Sequence, residues 1–251
     1  MKVSDNGSNG SIPVTCANCD KRSELFFCNL SEAASAKLHS LKFSHKYSRG
    51  STIFMEGQPA DGVYLLCSGR AKISTYSEEG RAIILRIAVP GELLGLSAVL
   101  SATAYEKTAH ASDDCTISFI KKKDFLDLVR TDHEAALKAL QQLSNNYHKA
   151  HLQICSLGLS SSAADKLARL LLQWFDASAN GGPVRISRMH THGEIAEMIG
   201  TSRETVTRML KDFKDRGLIA LTKTEMYIPN RARLKAAIGT RYRNGNGGDE
   251  P

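Results

Sequence analysis

Two sets of side chains in this 251-residue sequence have the types and spacing to do chemistry. The first is Cys16, Cys19 and Cys28 in CANCDKRSELFFC, a C-x2-C-x8-C arrangement. Two thiolates at that spacing suit one soft metal ion, and three in one short segment suit an iron–sulfur cluster or zinc. The same thiols without metal are open to reversible oxidation, and exposed thiols with no role are a liability. The second set lies in GTSRETVTRMLKDF, which begins at Gly200. Arg203, Glu204, Thr207 and Arg208 fall within one and a half helical turns, and Lys211 follows one turn after Thr207. Arginine donates two hydrogen bonds to the O6 and N7 of guanine, and glutamate accepts from the N4 of cytosine. Thr207 offers a methyl for thymine or a hydroxyl for phosphate.

The elements that must position the second set are legible. Ala196 is small where two helices cross closely, Gly200 supplies the positive φ of a tight turn, and Val206 packs the second helix back. Ile195, Ile199, Met209 and Leu210 fill the remaining core positions, and Ser202 is placed to cap the second helix. This is a helix-turn-helix pattern, in which the second helix enters the major groove N-terminus first. The charge agrees. Residues 201–243 hold eleven Lys or Arg against four Asp or Glu, while the rest of the chain holds 22 of each, so the whole net charge of +7 sits here. A neutral body with one basic end points to a polyanion, double-stranded DNA.

Upstream, residues 41–122 carry short apolar and β-branched runs broken by glycine: STIFMEG, GVYLLCSG, RAKISTYS, AIILRIAVPG and TISFI. Regular short strands with such turns predict a β-sandwich or barrel. SEAASAKLHS before them reads as a short helix capped by Ser31. After them, Lys123–Leu157 reads as one long helix. Ala136, Leu140, Leu143, Tyr147, Ala150 and Ile154 are spaced 4, 3, 4, 3, 4 along it, a heptad seam that favours a homodimer over a helix packed on its own β-domain. A loop, LGLSSS, precedes a further helix at Ala163–Phe175; a strand, VRIS, and a β-ribbon, LIALTKTEMYIP, flank the helix-turn-helix. The expected division is a cysteine-containing tail (1–30), a β-domain (31–122), a dimerisation helix (123–158), a DNA-binding domain (159–240) and a C-terminal tail (241–251). No run of eighteen apolar residues occurs and the first residues lack the apolar segment of a secretory signal, so a cytoplasmic protein is expected, with its six cysteines as thiols or metal ligands. No nucleophile–base–acid set, P-loop or GxGxxG supports an enzyme. His190 and His192 in MHTHGE sit at the start of the helix-turn-helix, with His192 read as solvent-facing.

With SRETVTRML (Ser202–Leu210), GVYLLCSGRAKI and VPGELLGL on the page, the chain resembles the Crp/Fnr superfamily of bacterial transcription regulators over about residues 20–238. The resemblance implies an α+β protein: an N-terminal cyclic-nucleotide-binding-like β-roll (jelly roll), a long dimerisation helix and a C-terminal winged helix-turn-helix. It implies that Arg203, Glu204 and Arg208 read a TGTGA-like half-site of a palindrome. The wing would be Leu218–Ile228, with Lys223 on a phosphate, and RNA polymerase would be a partner.

The resemblance also frames the signal. Family members that bind cAMP hold the ribose with a Gly-Glu pair, here Gly91 and Glu92, and the phosphate with an Arg-Ser pair, which falls at Tyr105–Glu106 and is missing. cAMP is therefore not the expected effector. The N-terminal cysteines resemble the oxygen-sensing Fnr branch, whose [4Fe–4S] cluster takes a fourth cysteine from the β-roll. Cys115 would be that ligand here, with Cys67 in reserve. Cys115 lies three residues upstream of the Fnr-type position, and on a strand an odd shift reverses the face. An iron–sulfur sensor of oxygen or nitric oxide leads the expectations. Thiol redox or zinc, another small ligand, and a constitutive DNA-binding dimer stand beside it. Cys155 is read as a buried structural residue.

Overall fold

A computed structural model describes residues 25–160, 162–177, 190–222 and 225–238; Cys16, Cys19, the VRIS strand and Lys223 lie outside the described residues. Two compact units result. One comprises the described residues up to Thr75 with Arg86–Tyr147, the other Tyr76–Leu85 with the described residues from His148 on.

Eight short strands precede the long helices, all but the end of β4 and the first half of β5 within the first unit: β1 (Lys42–Tyr47), β2 (Thr52–Phe54), β3 (Gly62–Ser68), β4 (Ala71–Tyr76), β5 (Ala82–Ala88), β6 (Leu93–Leu94), β7 (Thr108–Ala111) and β8 (Cys115–Lys121). They form two four-stranded sheets of order β1-β8-β3-β6 and β2-β7-β4-β5, the paired roll that the glycine-punctuated runs predict. Strands β1, β6 and β7 add to the expected set. Register assigns the faces. Tyr64 sits opposite Phe119 and Leu66 opposite Ile117, while Leu65 and Ser44 both sit opposite Ser118. Tyr64 stacks on Phe54 of the second sheet with centroids 5.3 Å apart, and Phe54 on Tyr105 at 4.2 Å, so the Tyr64 face is the inner one.

Helices close the outside. Helix α1 (Glu32–Leu41) starts at Ser31, whose hydroxyl accepts from the Ala34 amide, and buries Ala34 and Leu38. A short α2 (Leu96–Ser101) follows β6, and α3 (Lys122–Thr131) packs on β3 and β8. The helix expected at Lys123–Leu157 is two helices, because Asp132 takes an extended backbone and its Oδ1 accepts from the Ala135 amide at 2.8 Å. An aspartate that caps the next helix ends the one before it. Helix α4 (His133–Leu159) then runs for 27 residues. Its Ala135 and Ala139 are buried in the roll core, and Leu143 packs against it. Its Gln142 is buried too, with Oε1 accepting from the Leu93 amide at 2.8 Å and Nε2 donating to the Leu93 carbonyl at 2.6 Å.

This seating keeps Leu140, Tyr147 and Ile154 of the expected seam exposed and takes Leu143 away from it. Leu143 faces the core and Ala136 is half-buried, so neither lies on the outer stripe; Ala150 is exposed but beside it. The exposed line is Leu137, Leu140, Ser144, Tyr147, His151 and Ile154, spaced 3, 4, 3, 4, 3, with Leu140, Tyr147 and Ile154 at 63%, 76% and 69% exposure. The repeat was legible, but which of two adjacent stripes faces outward depends on what the roll covers.

In the second unit α5 (Ala163–Ala177) buries Leu167, Ala168 and Leu171 and packs on α6 (His192–Ile199) and α8 (Arg231–Ala236). Between these lie α7 (Arg203–Asp215) and a two-stranded ribbon, β9 (Ala220–Leu221) with β10 (Met226–Tyr227). Arg231 and Asp176 tie α8 to α5 by two hydrogen bonds of 2.8 and 2.6 Å.

Gln142 yields a stability test. Gln142→Ala would leave the Leu93 N–H and C=O unpaired in a buried place, at about 1–3 kcal/mol for each stranded group. Urea titration should show a lower midpoint, and an unchanged midpoint would mean that the clamp contributes nothing.

Candidate functional site

The helix-turn-helix is built from its caps inward. Thr191 and Glu194 form a capping box at the start of α6: the Thr191 hydroxyl accepts from the Glu194 amide at 3.1 Å, and the Glu194 carboxylate accepts from the Thr191 amide at 2.7 Å. The T-x-x-E spacing carries this in the sequence. Helix α6 ends at Gly200 with φ of 66°, the left-handed conformation that glycine adopts without strain. Ser202 caps α7 by accepting from the Thr205 amide at 3.2 Å. Val206, Met209, Leu210 and Phe213 are buried on one face of α7, and Ile195, Ala196, Met198 and Ile199 on α6. The opposite face of α7 presents Arg203, Glu204, Thr207, Arg208 and Lys211 around one shallow recess, all five exposed. The Glu204 carboxyl is held below its usual range by backbone amide donation at the helix N-terminus, by the Ser202 hydroxyl and by Arg203. It is therefore an ionised acceptor between two guanidinium groups.

Thr207 has a role the sequence hid. Its hydroxyl donates to the Arg203 carbonyl at 3.0 Å and lies 2.8 Å from Nδ1 of His192. The hydroxyl is thus engaged within the protein, and the methyl is left for a base. His192, read as solvent-facing, is half-buried and braces α7 from the first turn of α6. His190 is buried and its ring stacks on Trp174 at 4.4 Å.

The predicted sensor residues separate. Cys28 is 6% exposed, in a loop seated on Gly91, where the Phe27 amide donates to the Gly91 carbonyl at 3.0 Å. Gly91 has φ of 90°, and a Cβ there would stand 2.6 Å from the Phe26 nitrogen, so this glycine lets the N-terminal loop approach. The Glu92 carboxylate is buried and paired with the Arg86 guanidinium. Cys115 is 3% exposed on the inner face, opposite Tyr47, and its Sγ donates to the carbonyls of Arg70 and Asp113 at 3.2 Å each. Burial pushes its thiol pKa up. The Fnr-type position holds Ser118 on the other face, where its Oγ lies 3.3 Å from the half-buried Cys67 Sγ. Among the described residues no group of three or more His, Cys, Asp or Glu side chains is placed to hold a metal, and no helix is long and apolar enough to cross a membrane. Cys155, expected to be buried, is half-exposed.

Comparison with known proteins agrees with this architecture. Residues 44–132 match the cyclic nucleotide-binding domain and residues 165–237 the Crp-like helix-turn-helix domain. A CRP-like cAMP-activated global transcriptional regulator from Mycobacterium tuberculosis is 27% identical over 190 residues, covering 75% of this chain and 84% of that protein. A global nitrogen regulator from Synechocystis is 27% identical over 192 residues, covering 75% and 85%. Among solved structures, a CRP-family regulator from Thermus thermophilus matches with a TM-score of 0.57 at 26% identity, over 76% of this chain and 95% of that one. FixK2 from Bradyrhizobium japonicum has the same fold, with a TM-score of 0.66 at 22% identity over 78% and 96%. With a sensor roll followed by a Crp-type reading head, and with regulators rather than enzymes as its relatives, the chain belongs to the Crp/Fnr superfamily of transcription regulators.

Proposed function

We propose that the protein is a homodimer that sets one α7 per protomer into successive major grooves of a palindrome with TGTGA-like half-sites, about 34 Å apart. The observation that carries this is the exposed row Arg203, Glu204, Thr207, Arg208 and Lys211 on a helix whose other face is packed. Arg203 and Arg208 supply paired donors for guanine and Glu204 the acceptor for cytosine. Lys211 and Lys223 supply charge for phosphates, which fix position without reading sequence. The corrected stripe on α4 supports the dimer: Leu137, Ser144 and His151 occupy one core position of the heptad, and Leu140, Tyr147 and Ile154 the other. Polar side chains at core positions specify register at a cost in stability. A parallel pair brings both α4 C-termini, and the reading heads that follow them, to one end of the seam. An antiparallel pair would part those ends by the length of a 27-residue helix, about 40 Å, with the heads facing opposite ways. RNA polymerase is the partner that a dimer bound beside a promoter would recruit or block.

For the signal, the roll is a small-ligand sensor domain by family, and its own residues argue against cAMP. Tyr105, which takes the place of the phosphate-binding arginine, is 4% exposed, stacked on Phe54, and donates its hydroxyl to the Gly62 carbonyl at 2.7 Å. Glu92 is held by Arg86. A [4Fe–4S] cluster on Cys16, Cys19, Cys28 and Cys115 does not fit either, because Cys115 points to the inner face and is bonded to two carbonyls. The reading supported is redox control at Cys16, Cys19 and Cys28 alone. Oxidation of two of these thiols to a disulfide passes two electrons and two protons to an oxidant such as oxygen. The Cys28 loop is well placed to transmit it. The Ser31 amide donates to Glu134 of α4 at 2.7 Å, and the Lys138 ammonium lies 5.0 Å from the Phe26 ring centroid.

Two measurements test the two halves. Arg203→Ala should cost about 1–3 kcal/mol on the cognate site and relax preference at one base pair, whereas Lys223→Ala should weaken all sequences alike. Equal loss on cognate and random DNA for Arg203→Ala would contradict the recognition-helix assignment. Operator affinity measured with and without oxygen should differ for the wild type and Cys115→Ser, and not for Cys16→Ser or Cys28→Ser. A response lost in Cys115→Ser, with a visible absorption band lost alongside it, would restore the four-cysteine cluster.

A further inference from the structure

His151 and Cys155 lie one turn apart near the end of α4, with Nε2 and Sγ separated by 3.7 Å. Neither belongs to the reading head, and neither is consumed by the fold: His151 is exposed and Cys155 half-exposed. Imidazole nitrogen and thiolate sulfur are the preferred zinc donors, at about 2.0 and 2.3 Å, so two of them on one tetrahedral zinc stand about 3.6 Å apart. The observed separation is that edge. The rotation of the helix here is fixed from its other side, where the Gln153 side chain donates to the carbonyls of Ile84 and Met198 at 2.9 and 3.2 Å. His151 and Cys155 are thereby turned away from the protomer.

One protomer supplies only two ligands, since no third metal-binding side chain joins them among the described residues. The missing two have a natural source. His151 lies on the exposed heptad stripe, three residues before Ile154 and four after Tyr147, and Cys155 flanks that stripe. In a parallel two-stranded pair, residues at one core position face their own copies across the axis.

We propose that the dimer binds one zinc-class divalent cation at the C-terminal part of its seam, through His151 and Cys155 of each protomer. The inference rests on the dimer proposed above. Each Cys155 thiol gives its proton to solvent on binding, and the metal takes two sulfur and two nitrogen ligands. Such a site explains why a dimer seam carries an imidazole beside Tyr147 and Ile154. It would lock the end of the seam that leads into the DNA-binding unit's own helices.

The test uses the full chain, dialysed against metal-free buffer and reloaded with zinc alone or with cobalt(II) as a spectroscopic probe. Metal content is read by elemental analysis and oligomeric state by analytical ultracentrifugation. The expected result is a dimer holding about half an equivalent of metal per chain at this site, with the visible cobalt absorption of a tetrahedral sulfur–nitrogen centre. Cys16→Ser/Cys19→Ser, which removes the N-terminal thiol pair, should keep that metal and that spectrum. His151→Ala and Cys155→Ser should lose both. Cys155 only flanks the stripe, so Cys155→Ser should keep the cognate DNA binding of the apo protein, which serves as the folding control. A dimer whose metal content is unchanged in Cys155→Ser, or one that binds no metal, overturns the site and leaves the dimer standing. A monomer overturns the dimer and the site with it.

Discussion

The burial of Val206, Met209, Leu210 and Phe213 is the constraint on which the reading head depends. Each such side chain contributes about 1.5–3 kcal/mol when removed from water, so together they outweigh any single contact the exposed face can make. They set the rotation of α7, and the exposed row follows from that rotation. Successive residues on a helix are about 100° apart. Turning α7 by one residue would bring Thr207 toward the core and carry Val206 out. The chemistry of Arg203, Glu204 and Arg208 is thus assigned by residues that never touch a ligand, and His192 refines the setting by holding Thr207.

The same logic governs α4. Ala135, Ala139, Gln142 and Leu143 seat its first half on the roll, and the unseated side becomes the stripe from Leu137 to Ile154. The N-terminal loop joins this arrangement through Gly91, and Phe27 meets Phe125 of α3 at 6.3 Å. A chemical event at the loop therefore acts on residues that share a core with α3 and with the start of α4.

What could be read in advance was local. Gly200, Ser202 and the apolar spacing around Val206 announced the helix-turn-helix because caps and helical periodicity are short-range properties. Ser31 announced α1 for the same reason. What could not be read was orientation set by distant partners. Leu140, Tyr147 and Ile154 of the expected seam are exposed, whereas only the roll decides that Leu143 faces inward and that Leu137, Ser144 and His151 take the other row. Sequence spacing does not show that Arg86 of β5 is brought to Glu92 by the turn that follows the strand. Cys115 looked like a ligand because sequence spacing does not show that Tyr47 lies opposite it on the inner face. Cys155 looked buried by habit of its residue type, and the exposure of its helix face overruled that habit. The strand Thr108–Ala111 is hard to read in advance because it is four residues long and its apolar positions are alanines, which are weak strand formers.

The side chain of Gln142 has one more consequence. Strand β6 is two residues long and lies at the end of its sheet, where a strand normally exposes unpaired amides and carbonyls. Such an edge is a template for the strand of another chain, and so a site of aggregation. The carboxamide of Gln142 offers Leu93 the donor and acceptor that a neighbouring strand would offer. It ends the sheet by imitation, and this edge is closed to foreign strands by a residue that belongs to a helix.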